Sequence, residues 1–198
     1  MHLYDISQTL QRAPVYPGDP EPRTEQILRM DMGDKVNLSA FYQCTHNGTH
    51  AEASAHFYED GETIDQIPLE TFVGECTVIT VPEGILTGND IEERLPEGAK
   101  RVLLKGGGKS FLSQSSAFVL ADAGLSLVGI DSQSVGAPGE ENAPHKELLG
   151  KNIPLLEGLD LSAVPMDGRY FLFAVPLKIE GVEAAPVRAI LADGIFIL

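Results

Sequence analysis

Three of the five histidines fall within one stretch of eleven residues, which reads His46-Asn-Gly-Thr-His50-Ala-Glu52-Ala-Ser-Ala-His56. A helix would place His46 and His50 on one face, but the intervening Asn-Gly-Thr disfavours a helix, and Glu52 and His56 would point elsewhere. In an extended chain the side chains alternate, so these four even-numbered residues share a face. We therefore predict an extended segment that gathers the three imidazoles and the carboxylate.

The residue types in this segment predict a metal site. Two imidazoles and a carboxylate are the ligand set of a catalytic zinc or similar divalent site that keeps one position open for water. His46, His50 and Glu52 are the candidate ligands. His56 is either a further ligand or the group that transfers protons, because an imidazole titrates near neutral pH. The alternative interpretation is three unrelated histidines, exposed or satisfied in the core.

Two weaker signals lie in the middle of the chain. The segment Gly106-Gly-Gly-Lys-Ser110 is similar to the end of a phosphate-binding loop, but Leu103 stands where that motif needs its first glycine, so we predict a turn. Ser132, with Gln133 and Ser134 after it, follows a strand, where ligand-binding groups collect in α/β sheets. Ser132 is therefore a candidate substrate-binding residue, and ordinary turn chemistry is the alternative.

Charge and composition limit the partners. The 198-residue chain is 43% hydrophobic and carries 29 acidic against 14 basic residues, for a net charge of -15. This charge would repel phosphate backbones and anionic lipid surfaces, and no dense basic patch opposes it. We expect a small-molecule substrate, with neither nucleic acid nor a membrane as partner.

The compartment is also predicted from the sequence. Cys44 and Cys76 lie in apolar surroundings, which favours reduced thiols over a disulfide. The first residues lack the basic and apolar regions of a signal peptide, and no apolar run is long enough to span a bilayer. We expect a cytoplasmic protein.

The elements that must position the site alternate between strand and helix in the centre of the chain and are strands alone at both ends. We predict helices over 87–95, 113–123 and 144–149, and strands over 3–7, 26–30, 38–44, 76–81, 101–105, 127–130, 153–156, 170–179 and 187–191. This order predicts one mixed α/β or α+β domain over residues 1–198, with a right-handed βαβ centre and antiparallel flanks in a mixed sheet.

The histidine segment resembles the motif H-x-G-T-H-x-D-x-P-x-H-F of the cyclase-like metal-dependent hydrolases, the family that includes bacterial kynurenine formamidase and isatin hydrolase. The matching positions are His46, Gly48, Thr49, His50, His56 and Phe57. Residues 5–7, 15–19, 129–132, 155–159, 176–178 and 186–189 also resemble family segments, so the likeness extends over nearly the whole chain.

This resemblance implies a compact swivelling-type α/β domain with short helices, assembled as a homodimer or larger homo-oligomer. It implies that His46, His50 and Glu52 bind a first metal and that His56 transfers protons. In members with two ions, Glu52 again, His145 and Glu157 bind the second. It also implies that Tyr16 contacts the substrate. The expected ion is zinc, with manganese as the alternative, at one or two ions per chain.

Two departures from the family motif bear on activity: Glu52 replaces its Asp, and Ser54 replaces its Pro. Glutamate is one methylene longer, which changes how far the carboxylate reaches between two ions. We predict a metal-dependent hydrolase of an amide, either an N-formyl aryl amine or a cyclic amide. The alternatives are a metal-binding module of the same fold without turnover and a metal-assisted lyase or dehydratase.

Overall fold

A curled sheet of nine strands forms the centre of the computed structural model, which describes residues 1–194. Within those residues the strands are β1 (Leu3–Asp5), β2 (Arg23–Leu28), β3 (Leu38–Tyr42), β4 (His50–Glu52), β5 (Val73–Thr80), β6 (Gly84–Leu86), β7 (Arg101–Lys105), β8 (Ser110–Leu112), β9 (Leu127–Ile130), β10 (Leu155–Glu157), β11 (Gly168–Phe173), β12 (Ala184–Pro186) and β13 (Ile190–Ala192). The α-helices are α1 (Leu69–Phe72), α2 (Gly88–Glu92), α3 (Gln114–Asp122) and α4 (Asn142–Leu149).

The strand order of the large sheet is β1-β13-β11-β5-β7-β9-β10-β4-β12. The four central strands, β5, β7, β9 and β10, are parallel, and the strands on both sides pair antiparallel. Helices α2, α3 and α4 lie in the connections between the central strands, as βαβ units require. The predicted mixed α/β domain is confirmed.

The central strands are apolar on both faces because both faces are covered. On β7, Val102 and Leu104 face the helices, where they join an apolar cluster with Ile91 of α2 and Leu120 of α3. Leu103 points to the opposite cluster. This double burial explains why the central strands read as continuous hydrophobic runs in the sequence.

The sheet curls until its two edges approach each other. Strands β12 and β13 stand at or near opposite ends of the strand order, yet only residues 187–189 separate them. Within this link, the Val187 amide donates to the Thr49 carbonyl at 3.0 Å, and Ala189 accepts from the Ile6 amide at 3.0 Å. The strand predicted over 187–191 is therefore confirmed only at residues 190 and 191, which belong to β13, and residues 187–189 pass from one sheet edge to the other.

The strands predicted over 26–30 and 38–44 are present and antiparallel, but they lie outside the large sheet. They are β2 and β3, which pair only with each other, in a hairpin outside the large sheet. Hydrophobic periodicity identifies a strand but not the strand with which it pairs, so it does not predict that β2 and β3 lie outside the large sheet. The glycine-rich turn is as predicted: the amides of Gly106 and Gly107 donate to the Asp131 carboxylate at 2.9–3.0 Å. No helix within residues 1–194 combines the length and apolarity that crossing a bilayer requires.

Candidate metal centre

Strand register places His50, Glu52 and Glu157 on one face of the sheet. Strand β4 pairs antiparallel with β10, so that His50 lies opposite Glu157 and Glu52 lies opposite Leu155. Ala51 points the other way, into the apolar cluster beneath the sheet. The alternation of side chains between the two faces, predicted from the sequence, is thus present in β4. The neighbouring strand β10 adds a second carboxylate, Glu157.

Two glycines allow the segments that carry these residues to touch. Gly48 and Gly158 both have positive φ, at 69° and 63°, and a Cβ on Gly158 would lie 2.4 Å from the Gly48 carbonyl oxygen. The Thr49 hydroxyl donates to the Gly158 carbonyl at 2.6 Å, between residues 109 positions apart. A side chain on Gly158 would therefore separate His50 from Glu157.

The prediction of one extended segment is wrong outside residues 50–52. Before β4 the chain forms a turn at His46, and after it Ser54–His56 form a 3-10 helix. Both bends bring the imidazoles back toward Glu52: its Oε1 lies 2.7 Å from His46 Nδ1 and 3.7 Å from His56 Nε2. Ser54 supports the second bend, because its hydroxyl accepts from the Glu62 amide at 2.8 Å.

His145 reaches the same face from α4. Its Nε2 lies 3.2 Å from Glu157 Oε1 and 3.4 Å from Glu52 Oε2. Its Nδ1 donates to the Glu141 carbonyl at 2.6 Å, and Glu157 accepts from the Val135 amide at 2.6 Å. The structure thus brings together every residue that the sequence singled out as a candidate metal ligand, together with His56.

Donor atoms group into two clusters that share Glu52. The first contains His46, Glu52 and His56, and the second contains His50, Glu52 and Glu157. Within each cluster one donor atom of every residue lies within 4.8 Å of the others. This grouping differs from the division implied by the family resemblance, which joins His50 to His46 and leaves His56 outside the ligand set.

The electrostatics of the site fit a divalent cation. Burial lowers the pKa of His50 and His145, but their contacts with Glu157 and Glu52 outweigh it and raise the pKa values to about 10 and about 11. Burial raises the pKa of each glutamate, yet the imidazoles bring both below their ordinary values. Glu52 Oε2 is buried with no hydrogen-bond partner, because its 3.4 Å contact with His145 Nε2 is a charge contact and does not have hydrogen-bond geometry. A divalent cation bound by neutral imidazoles would satisfy this oxygen and supply the compensating charge.

A cavity of about 280 Å³ opens over these residues. Phe57 forms one wall, and its ring stacks on that of His145 with 4.8 Å between the ring centroids. At the rim, the Tyr16 hydroxyl donates to the Glu141 carboxylate. Ser132 does not reach the cavity, because it is fully buried and its hydroxyl donates to the Ser134 carbonyl at 2.6 Å. The lining residues are Tyr16, Asp19, His46, His50, Glu52, His56, Phe57, Gln133, Ser134, Glu141, His145 and Glu157.

Comparison with protein families identifies the family to which the fold belongs. The model of the Cyclase family matches residues 4–137, which include β4 and both bends of the histidine segment. The chain belongs to the Cyclase family. Over 98% of both chains, this family member is 39% identical to a kynurenine formamidase of Salinibacter ruber.

Solved structures extend the likeness to three dimensions. A structure described as a predicted metal-dependent hydrolase from Bacillus stearothermophilus has a TM-score of 0.83 and 32% identity, covering 96% of this chain and 97% of that one. Isatin hydrolase A from Labrenzia aggregata has a TM-score of 0.80 at 24% identity, covering 96% and 93%, and shares the fold. The Cyclase-family chain is an arylformamidase-like hydrolase.

Three acidic residues at this Cyclase-family site were not identified from the sequence. Asp19 and Glu141 line the cavity, and Glu183 contacts His46 from the segment before β12. Asp19 ends the segment 15–19 that resembles a family segment, Glu141 lies four residues before His145, and Glu183 reaches His46 through the pairing of β12 with β4. The types and spacing of these residues did not separate them from the other acids of the chain.

Proposed function

We propose that the protein is a metal-dependent hydrolase that opens an amide, with an N-formyl aryl amine or a cyclic amide as its substrate. The observation that carries the proposal is Glu52, which belongs to both donor clusters and has a buried oxygen without a hydrogen-bond partner. Zinc is the proposed ion and manganese the alternative, since nitrogen and carboxylate donors suit both. The kynurenine formamidase relatives support hydrolysis over metal-assisted elimination.

His46, His50, Glu52, Glu157 and His145 would hold the metal. When bound, a divalent metal supplies Lewis-acid chemistry, polarising the amide carbonyl and making water acidic enough to attack it at neutral pH. The protein's side chains position the reactants and move the protons.

His56 is the proposed general acid and base. Its side chain is 31% exposed and lines the cavity, and burial lowers the pKa of its imidazole, which favours the neutral form. His56 Nε2 accepts a proton from the attacking water and returns it to the leaving nitrogen. A general acid and base in this position increases the rate of hydrolysis by about 10²–10⁴-fold.

The walls of the cavity position the substrate. Phe57 and Tyr16 present aromatic rings to an aryl group, and Gln133 and Ser134 offer polar groups beside them. Ser132 sits behind this surface, so we assign substrate contact to its two neighbours. Tyr16 keeps its proposed role at the rim, with its hydroxyl held by Glu141.

Bound metal and turnover should be measured together to test this proposal. The wild-type protein, loaded with zinc or manganese, should contain metal and hydrolyse N-formylkynurenine, formanilide or isatin. Metal binding without hydrolysis of any of these amides would favour the binding-module alternative. A chain that purifies and reconstitutes without metal would overturn the proposal.

We also propose that two copies associate through the β2–β3 hairpin. Six apolar residues of the hairpin are between 47% and 73% exposed: Ile27, Met30, Met32, Val36, Leu38 and Phe41. The surface of the chain is 10616 Å², against about 9,100 Å² for a compact monomer of this mass. The excess of roughly 1,500 Å² is larger than the ~800 Å² that each partner loses in a standard interface. A second copy covering these six side chains would remove part of this excess from water.

Sedimentation or light scattering tests this assembly. Wild-type protein should have the mass of a dimer or larger oligomer, and Phe41→Glu should lower the mass toward that of one chain. Phe118→Glu is the matched control, because Phe118 is 56% exposed on α3, a helix that packs against α2, α4 and β8. A monomeric wild type, or equal dissociation by both variants, would contradict the proposal.

A further inference from the structure

Glu183 is held against the metal centre by strand pairing. It lies directly before β12, whose register with β4 places Ala184 opposite Glu52. The Glu183 carbonyl accepts from the Ala53 amide at 2.8 Å. Its backbone is therefore fixed beside the strand that carries two candidate ligands, although Glu183 itself is not in either donor cluster.

The side chain of Glu183 holds one nitrogen of a candidate ligand. Its Oε1 lies 3.0 Å from His46 Nε2 and accepts from the Thr45 hydroxyl at 2.8 Å. The other ring nitrogen, His46 Nδ1, lies 2.7 Å from Glu52 Oε1 and faces the cluster. The His46 ring thus stands between two carboxylates, one inside the candidate metal centre and one outside it.

Only one nitrogen of a histidine coordinates a given metal, and the other donates its proton to an acceptor that orients the ring. We infer that Glu183 is a positioning residue: it accepts the Nε2 proton of His46, so that Nδ1 is the nitrogen presented to the metal. This inference rests on the proposed metal-dependent function. The Thr45 hydroxyl holds the same carboxylate oxygen and fixes its direction.

The geometry explains why His46 needs such a partner more than His50 does. His50 is 2% exposed, and its Nδ1 donates to the Gly48 carbonyl at 2.9 Å, so the backbone already fixes its ring and leaves Nε2 for the centre. His46 stands in a turn and is 18% exposed. Glu183 does for His46 what the Gly48 carbonyl does for His50.

Zinc binding to the metal-stripped, full-length protein tests the inference, with a competing chelator to measure Kd. Glu183→Ala should weaken zinc binding by about 10–100-fold, the usual effect of removing the acceptor behind a metal-ligating histidine. Glu183→Gln should recover most of the affinity, because its amide oxygen still accepts from His46 Nε2. Thr45→Val should cause a smaller loss. Glu180→Ala is the control for charge, since Glu180 lies in the same segment and is exposed.

Ring-nitrogen NMR shifts of the zinc-loaded wild type provide the second measurement. A proton on His46 Nε2 with Nδ1 bound to zinc supports the inference, and coordination through Nε2 overturns it. Unchanged zinc affinity in Glu183→Ala, or an equal loss in Glu180→Ala, also overturns it while leaving the proposed function intact. A wild type that binds no zinc or manganese overturns both. If Glu183→Ala does not fold, the zinc Kd values of Glu183→Gln and Thr45→Val test the inference instead. A wild-type Kd in Thr45→Val would then count against it.

Discussion

The two sides of Glu52 are built in different ways. On the inner side, His50 and His145 are 2–3% exposed and Glu157 is as deeply buried, and strand register and α4 fix all three. On the outer side, His46 and His56 are 18% and 31% exposed and stand on a turn and a 3-10 helix. The inner side is suited to holding a cation and the outer side to admitting substrate and moving protons. Each of the following variants tests this division.

The largest effect is expected from His50→Ala, on the inner side. It removes a proposed ligand and leaves Glu52 and Glu157 without one of their compensating imidazoles, so metal content should fall by at least one ion per chain and amide hydrolysis should fall to background. Breaking a buried charge pair should also lower the free energy of unfolding by about 3 kcal/mol. Elemental analysis, an amidase assay and denaturant unfolding measure the three effects. A variant that keeps its metal would place His50 outside the ligand set.

His56→Ala should separate binding from catalysis. The inner side still holds the metal, so metal content should stay at the wild-type value while hydrolysis falls by about 10²–10⁴. The same two assays give the answer. Wild-type turnover would remove His56 from the mechanism, and loss of metal would make it a ligand of the cluster it shares with His46.

The number of ions is tested by His145→Ala. The family resemblance assigns His145 to a second ion with Glu52 and Glu157, and His145 Nε2 lies 3.4 Å and 3.2 Å from those two carboxylates. We therefore expect two ions per chain in the wild type and one in this variant. Elemental analysis against protein concentration measures the ratio. One ion per chain in both proteins would show that Glu52 serves a single metal.

Glu52→Asp restores the residue of the family motif and shortens the carboxylate by one methylene. The shorter side chain withdraws from His46 Nδ1, which now lies 2.7 Å from it, so zinc affinity should fall by about 10-fold, mainly on the outer side. Titration with a chelating competitor measures this. Tighter binding would mean that the longer glutamate loosens the site.

The smallest effect is expected at the rim. Tyr16→Phe removes the hydroxyl that Glu141 holds but keeps the ring, so KM should rise by about 3–10-fold with kcat unchanged, the value of one hydrogen bond. Steady-state kinetics on formanilide measures both constants. An unchanged KM would show that the Tyr16–Glu141 contact does not order the rim.

The sequence predicted most of what depends on local pattern. The helix predicted over 113–123 agrees with α3 within one residue at each end. Its N-cap serine and the glycine that follows the helix are local signals, which is why its ends could be predicted. The convergence of His46, His50, Glu52 and His56 was also foreseen, although alternation accounts only for His50 and Glu52. The family resemblance, and not the residue pattern, placed His145 and Glu157 beside them.

What the sequence could not predict depends on pairing between distant segments. Glu183 is one acid among 29 in the sequence, and only the register of β12 with β4 brings it to His46. Ser132 follows a strand end, as predicted, but its side chain turns inward, which no local rule determines. Strands β2 and β3 were identified as strands, but the local pattern does not determine which strand each pairs with. Their position outside the large sheet could therefore not be predicted.

The position of β4 in the sheet has a consequence for biosynthesis. This strand leaves the ribosome early, but it lies between β10 and β12, which are translated more than a hundred residues later. The nascent chain therefore carries His50 and Glu52 for most of translation without the strands that place Glu157 and Glu183 beside them. The candidate metal centre takes its shape only once β10 and β12 have been synthesised, so we expect an ion to bind after synthesis.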